Sequence, residues 1–212
     1  MIKNEILLKI LELFPDAKCE LNYRNLYELI VAVILSAQTT DKRVNIVTLE
    51  LFSLYPDIYS LAKAKQKDLE RVISSVGLYQ TKAKNLINMA NQVITNYQGH
   101  IPNTIEDLLT LSGVGRKTAN VILSEGFLIP AIAVDTHVKR VANRLGLCTS
   151  DNPDIVEEKL KDLFDISEWR MAHHLLIHFG RYICKAIKPD CNLCPLDCKV
   201  RRLPYEKEKM LH

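Results

Sequence analysis

The sequence predicts an all-α chain built as two helical lobes. Three observations carry that reading. Apolar residues recur at three- and four-residue intervals almost throughout, no convincing pair of alternating strand-like runs is present, and a tight glycine turn joins two helical stretches near the middle. Taken in order, Ile6, Leu7, Ile10, Leu11 and Phe14 form one stripe that Pro15 ends. Leu26 to Leu35 reads as a buried helix rather than a buried strand, and Asp41 is placed to N-cap the next helix, which runs to about Leu54 before Pro56. Two shorter helices follow up to the interruption at Gly77. A long amphipathic helix then carries Leu86, Ile87, Ala90, Val93 and Ile94 and ends near Gly99. Pro102 and Thr104 open a short helix that stops at Ser112-Gly113, and a helix of about ten residues reaches Gly126. Ile129 to Val134 is extended and buried. Asp135 sits at a helix start, and further helices begin near Pro153 and Ser167.

The chain has 212 residues, 48% hydrophobic and 25% charged, ordinary values for a globular protein with a substantial core. Met1 to Leu11 lacks the apolar core of a signal peptide, and the longest apolar run contains Glu28 and is too short for a bilayer, so a cytoplasmic monomer without a membrane partner is expected. The net charge of +3 identifies no partner, but its distribution is uneven. From Arg181 onward eight Lys and Arg face four Asp and Glu, and Lys82, Lys84, Arg116, Lys117, Lys139, Arg140 and Arg144 flank the loops that carry the motifs.

The most specific backbone signal is Leu111-Ser112-Gly113-Val114-Gly115-Arg116-Lys117-Thr118-Ala119. Two glycines one residue apart permit positive φ and remove the Cβ atoms that would keep a ligand from the main chain. The helix that follows offers unpaired N–H groups and its positive dipole end to an anion. The glycine spacing and the lack of a preceding strand exclude a Walker loop and a dinucleotide fingerprint. The pattern is that of a helix-hairpin-helix element, which grips a DNA backbone without reading bases. A weaker echo of it, a glycine turn leading into a basic helix start, lies at Val76-Gly77-Leu78-Tyr79-Gln80-Thr81-Lys82-Ala83.

A lysine in a first helical turn is ordinarily solvated or a phosphate contact. It becomes a nucleophile when its amine is neutral, which desolvation, neighbouring positive charge or a base brings about. Arg116 and the helix start supply positive potential at Lys117, and Asp135 in Val134-Asp135-Thr136-His137-Val138 is the matching carboxylate. Asp135 also fits an N-cap, and the two roles are compatible, because a capped carboxylate stays ionised and fixed. His137 reads as a structural or phosphate-contacting side chain rather than a base.

Cys184, Cys191, Cys194 and Cys198 fall within one short segment, separated by six, two and three residues. In a cytosolic chain this knot reads as a structural metal site, with zinc and a [4Fe–4S] cluster equally served by four thiolates.

Together these pieces resemble endonuclease III, the helix-hairpin-helix DNA glycosylase/AP lyase family, across nearly the whole chain. The resemblance rests on Leu35-Ser36-Ala37-Gln38-Thr39-Thr40-Asp41, Gly77-Leu78-Tyr79, the Gly113 hairpin with Lys117, the Asp135 segment and the cysteine knot, in that order. It implies a six-helix lobe at 22–132, a second lobe of 1–21 plus 133–212 with a [4Fe–4S] cluster loop, and double-stranded DNA with a damaged or abasic nucleotide in the cleft between lobes. It implies base-excision repair at the nucleoid, with removal of oxidised pyrimidines and strand cleavage through a Lys117 Schiff base beside catalytic Asp135. By the same resemblance Gln38 and Leu78 enter the duplex, Gly113, Val114, Gly115, Arg116 and His137 contact DNA, and the cluster ligands are Cys184, Cys191, Cys194 and Cys198. Two positions depart from the family: Ser112 replaces a frequent proline, and three residues rather than five separate the last two cysteines. The alternatives are a monofunctional adenine or mismatch glycosylase, against which Lys117 argues, and a non-catalytic DNA-binding module with structural zinc.

Overall fold

The computed structural model describes residues 3–196 and 198, and among them every regular element is helical. The helices are α1 (Lys3–Leu13), α2 (Leu26–Ser36), α3 (Asp41–Leu54), α4 (Ile58–Ala62), α5 (Gln66–Val72), α6 (Tyr79–Tyr97), α7 (Ile105–Leu109), α8 (Arg116–Val121), α9 (Thr136–Leu145), α10 (Pro153–Leu163) and α11 (Trp169–Tyr182). The chain divides into two compact units. One is Glu20–Ile129, and the other joins the residues up to Cys19 with those from Pro130 onward.

In the Glu20–Ile129 unit, α2 is buried from Glu28 to Leu35 and packs against α3, α6 and α8. Each such Leu, Ile or Val taken out of water contributes about 1.5–3 kcal/mol. Asn25 caps this helix by accepting the Glu28 amide. The buried Glu28 carboxylate accepts from the Arg24 backbone N–H and its guanidinium, which is why an acidic residue is tolerated inside an apolar run. For α3 the cap is Thr40, not Asp41: its hydroxyl accepts the Arg43 amide at 3.3 Å, and Asp41 occupies the first helical turn. Acidic and capping residues are adjacent in the sequence, and the first-turn position suits a carboxylate through the helix dipole. The helix expected to reach Gly126 does so in two parts. After α8 the backbone widens into a π turn over Ile122–Gly126. Gly126 lets that turn lie against α2, since a Cβ there would stand 2.5 Å from Leu26 Cδ2.

The other unit packs α1 and α9 against α11. Its core gathers Ile6, Ile10, Val138, Val141, Leu176 and Phe179, and the coil Ala131–Val134 runs buried into it. Gly180 brings α9 and α11 together. A Cβ at that position would lie 2.9 Å from His137 Cβ and 3.1 Å from Val141 Cγ2.

Candidate active site

Lys117 lies in the first turn of α8, half-buried, and its amine forms no hydrogen bond or ion pair with a described residue. The hairpin before it uses its two glycines differently. Gly113 has φ +82°, and a Cβ there would stand 3.1 Å from Asn85 Cβ, so both conformation and packing require glycine. Gly115 has φ −97° and ψ 177°, open to any residue, and a Cβ added there would meet nothing within 4 Å. Packing within the fold therefore does not demand glycine at 115. What glycine leaves there is open space beside the main chain at the start of α8, where a ligand backbone can approach.

Val114 is buried and anchors the turn, while Arg116 is exposed beside Lys117. Ser112, where the resemblance implies a proline, donates its backbone N–H to Gln92 Oε1 at 2.8 Å. Gln92 Nε2 donates in turn to the Thr110 carbonyl at 3.1 Å, so one amide side chain from α6 brackets the turn. Proline has no N–H to offer that bond. The softening that loss of a proline ring implies is thus offset by a tether.

The second loop pair lies at the other end of α6. Gln38 and Leu78 are both exposed, and both adopt left-handed backbone, with φ of 55° and 58°. For a residue with a Cβ this costs roughly 1–2 kcal/mol, so two strained positions stand where the sequence expected DNA-invading side chains. Their loops lie close together. Gly77 N–H donates to Thr39 Oγ1 at 3.2 Å, and a Cβ on Gly77 would stand 3.0 Å from the Gln38 carbonyl oxygen.

Lys82 of α6 was expected among the basic groups flanking the loops, but it is buried. Its ammonium donates to the carbonyls of Leu35, at 2.9 Å, and Ala37, and to Thr39 Oγ1 at 3.3 Å. Burial pushes its pKa below the ordinary lysine value. Sequence spacing carried no signal for this role, because a lysine in a first helical turn reads as solvated.

Substituting Leu78 by Gly separates strain from function. The Leu78 side chain is 59% exposed and packs little, so relief of the backbone strain is expected to leave unfolding stability unchanged or raised by up to ~1 kcal/mol. Urea unfolding measures that, and base excision on the same sample is expected to fall.

Asp135 belongs to the other unit and caps α9. Its Oδ1 accepts the N–H groups of His137 and Val138, both at 2.8 Å, and no described residue donates to Oδ2. The carboxylate is therefore fixed by one oxygen and free at the other. His137 is half-buried, and its Nδ1 stands 3.2 Å from Arg140 Nη2. An arginine only donates, so Nδ1 accepts and a neutral His137 carries its proton on Nε2.

Arg140 also donates to the carbonyls of Gly180 (2.8 Å) and Cys184 (3.1 Å). Arg144 donates to the Lys185 carbonyl (2.7 Å), the Ala186 carbonyl (3.2 Å) and Cys184 Sγ (3.6 Å). These two arginines, expected beside DNA-facing loops, tie α9 to the start of the cysteine segment. Burial pushes the Cys184 thiol up in pKa, and the two guanidinium groups oppose that shift. Cys184, Cys191, Cys194 and Cys198 all line one small pocket that opens to solvent. No three His, Cys, Asp or Glu side chains among the described residues converge tightly enough for a single metal ion.

Residues 31–165 match the profile of the HhH-GPD superfamily base excision DNA repair proteins. Endonuclease III of Rickettsia conorii is 49% identical over 91% of this chain and 93% of its own length. Endonuclease III of Bacillus subtilis is 48% identical over 89% and 86%. Among solved structures, a trapped endonuclease III–DNA covalent intermediate superposes with a TM-score of 0.90 at 44% identity, covering 100% of both chains. A thermostable thymine-DNA glycosylase superposes with a TM-score of 0.82 at 25% identity, covering 97% of both.

Proposed function

The chain belongs to the HhH-GPD superfamily of base excision DNA repair proteins, and within it to the endonuclease III family, and on that premise we propose that it is a bifunctional glycosylase and abasic-site lyase acting through Lys117. The observation that carries the proposal is the half-buried Lys117, whose amine has no partner among the described residues, behind the open Gly115 turn. The solved relative trapped as a covalent intermediate with DNA supports it.

The target nucleotide leaves the stack, because a stacked base shields its sugar carbon. Phosphates flanking it rest on the main chain of the hairpin, where Gly113, Gly115 and Arg116 are exposed. Neutral Lys117 Nζ bonds to C1′ while the C1′–N bond breaks and the base leaves with the electron pair, taking up a proton. The negatively charged carboxylate of Asp135 is the proposed stabiliser of the positive charge that develops on the sugar. Ring opening and loss of the amine proton give an iminium on Lys117. Removal of a C2′ proton then forms a C2′–C3′ double bond and expels the 3′ phosphate. Water hydrolyses the iminium and returns the lysine. Oxidised pyrimidines and abasic sites are the proposed substrates, in double-stranded DNA.

The thiolates of Cys184, Cys191, Cys194 and Cys198 would hold a [4Fe–4S] cluster. All four line one pocket, and four thiolates are the donor set such a cluster takes, as in the family the chain belongs to. Bound there, the cluster supplies order to the loop rather than chemistry to the sugar.

Borohydride reduction of the wild-type protein with a duplex containing thymine glycol or an abasic site tests the reaction. A covalent adduct and a β-elimination product are expected, whereas base release without an adduct makes the enzyme hydrolytic. Anaerobically purified protein is expected to be brown with about four irons per chain, and a colourless zinc protein overturns the cluster assignment.

A further inference from the structure

One stripe of α6 serves both loop systems. Lys82 holds the loop after α2, Asn85 backs Gly113, and Gln92 brackets the hairpin. The Lys82 end of that stripe is unusual in its chemistry. An ammonium 5% exposed has no carboxylate partner among the described residues, and its three acceptors are two carbonyls at the C-terminal end of α2 and one hydroxyl. The C-terminal end of an eleven-residue helix carries partial negative charge, which offsets part of the cost of burying a cation. The same hydroxyl, Thr39 Oγ1, also accepts the Gly77 amide. Lys82 and Thr39 thus join the Gln38 loop to the Leu78 loop just where both residues are held at positive φ.

We infer that Lys82 is a positioning residue that locks the Gln38 and Leu78 loops into one rigid two-pronged wedge, so that both side chains enter the duplex together. This rests on the proposed role of those side chains in filling the space left by the extruded nucleotide. Left-handed backbone at a glutamine and a leucine persists only where surroundings over-determine it. The Lys82 bonds supply that constraint without touching DNA.

The test uses the full-length protein and a duplex with 2-aminopurine opposite an abasic-site analogue, whose fluorescence rises when the wedge unstacks it. Lys82→Met keeps the aliphatic stem and removes the donors. It is expected to abolish most of the fluorescence rise, as Leu78→Ala does, and to lower single-turnover excision on the order of 10-fold. In the Leu78→Ala background it is expected to add no further loss. Additive losses, or parallel falls in undamaged-DNA affinity and melting temperature, overturn the inference by making Lys82 a general structural residue. If Lys82→Met does not fold, Thr39→Val in the same cycle decides, since it removes the hydroxyl that links both loops. Absence of a borohydride adduct with the wild type would defeat the lyase reading alone. The fluorescence arm requires no chemistry and still decides whether Lys82 positions the wedge.

Discussion

Lys117→Gln is expected to abolish the borohydride-trapped adduct and to lower strand cleavage at an abasic site on the order of 10³-fold or more, because it removes the proposed nucleophile. The substitution keeps polarity, and the position is half-buried with no partner among the described residues to disrupt. Folding stability should therefore shift by no more than about 0.5 kcal/mol, the usual range for a side chain that makes no specific contact. Affinity for a duplex with an abasic-site analogue is expected to persist, since the main chain from Gly113 to Gly115 is unchanged. Gel quantification of adduct and cleaved strand, alongside a thermal melt, checks both halves. A variant that still traps at the wild-type rate would move the nucleophile elsewhere.

Asp135→Asn carries the second large effect. The residue caps α9 and is the proposed catalytic carboxylate, and asparagine retains the first of these roles. Its Oδ1 can still accept the amides of His137 and Val138, so the α9 cap survives and stability is expected to stay within a few tenths of a kcal/mol. The negative charge is lost, and stabilisation of a developing cation by a fixed carboxylate is worth roughly 10²–10³ in rate. Asp135→Ala removes charge and cap together and is expected to cost ~1 kcal/mol of stability besides. Single-turnover excision and urea unfolding of both variants separate the contributions. Equal rate losses with unequal stability losses are the expected pattern. Rates that instead track stability would reduce Asp135 to a helix cap.

Much of this was legible before the structure, and the reasons are physical. Helix positions followed from apolar spacing because that spacing reports which face is buried. The α3 cap was misplaced by one residue, since Thr40 and Asp41 are both good caps and only the hydroxyl's bond to the Arg43 amide distinguishes them. The π turn over Ile122–Gly126 left no trace in the residue pattern, because the apolar spacing there is compatible with a continuous α-helix. Within the site, the hairpin and Lys117 stood out through glycine spacing. Lys82, Arg140 and Arg144 were placed only as charges flanking the motif loops, whereas the first is buried among carbonyls and the other two bind the backbone of residues 180–186. Sequence composition counts charges but does not say what each one faces. Gln38 and Leu78 showed the same limit from the other side: motif matching found them, but their strained backbone appears only in three dimensions.

The tether at Ser112 has a practical consequence. A chain with proline at that point has no amide proton there and is silent in exchange and amide-detected spectra. This chain carries an amide proton at residue 112 whose only acceptor in the turn is a side chain on a neighbouring helix. Its protection against deuterium therefore tracks how firmly the turn is seated, amide by amide and without a label. The substitution that seemed to weaken the hairpin instead equips it with a native reporter, readable in the free protein and again on duplex.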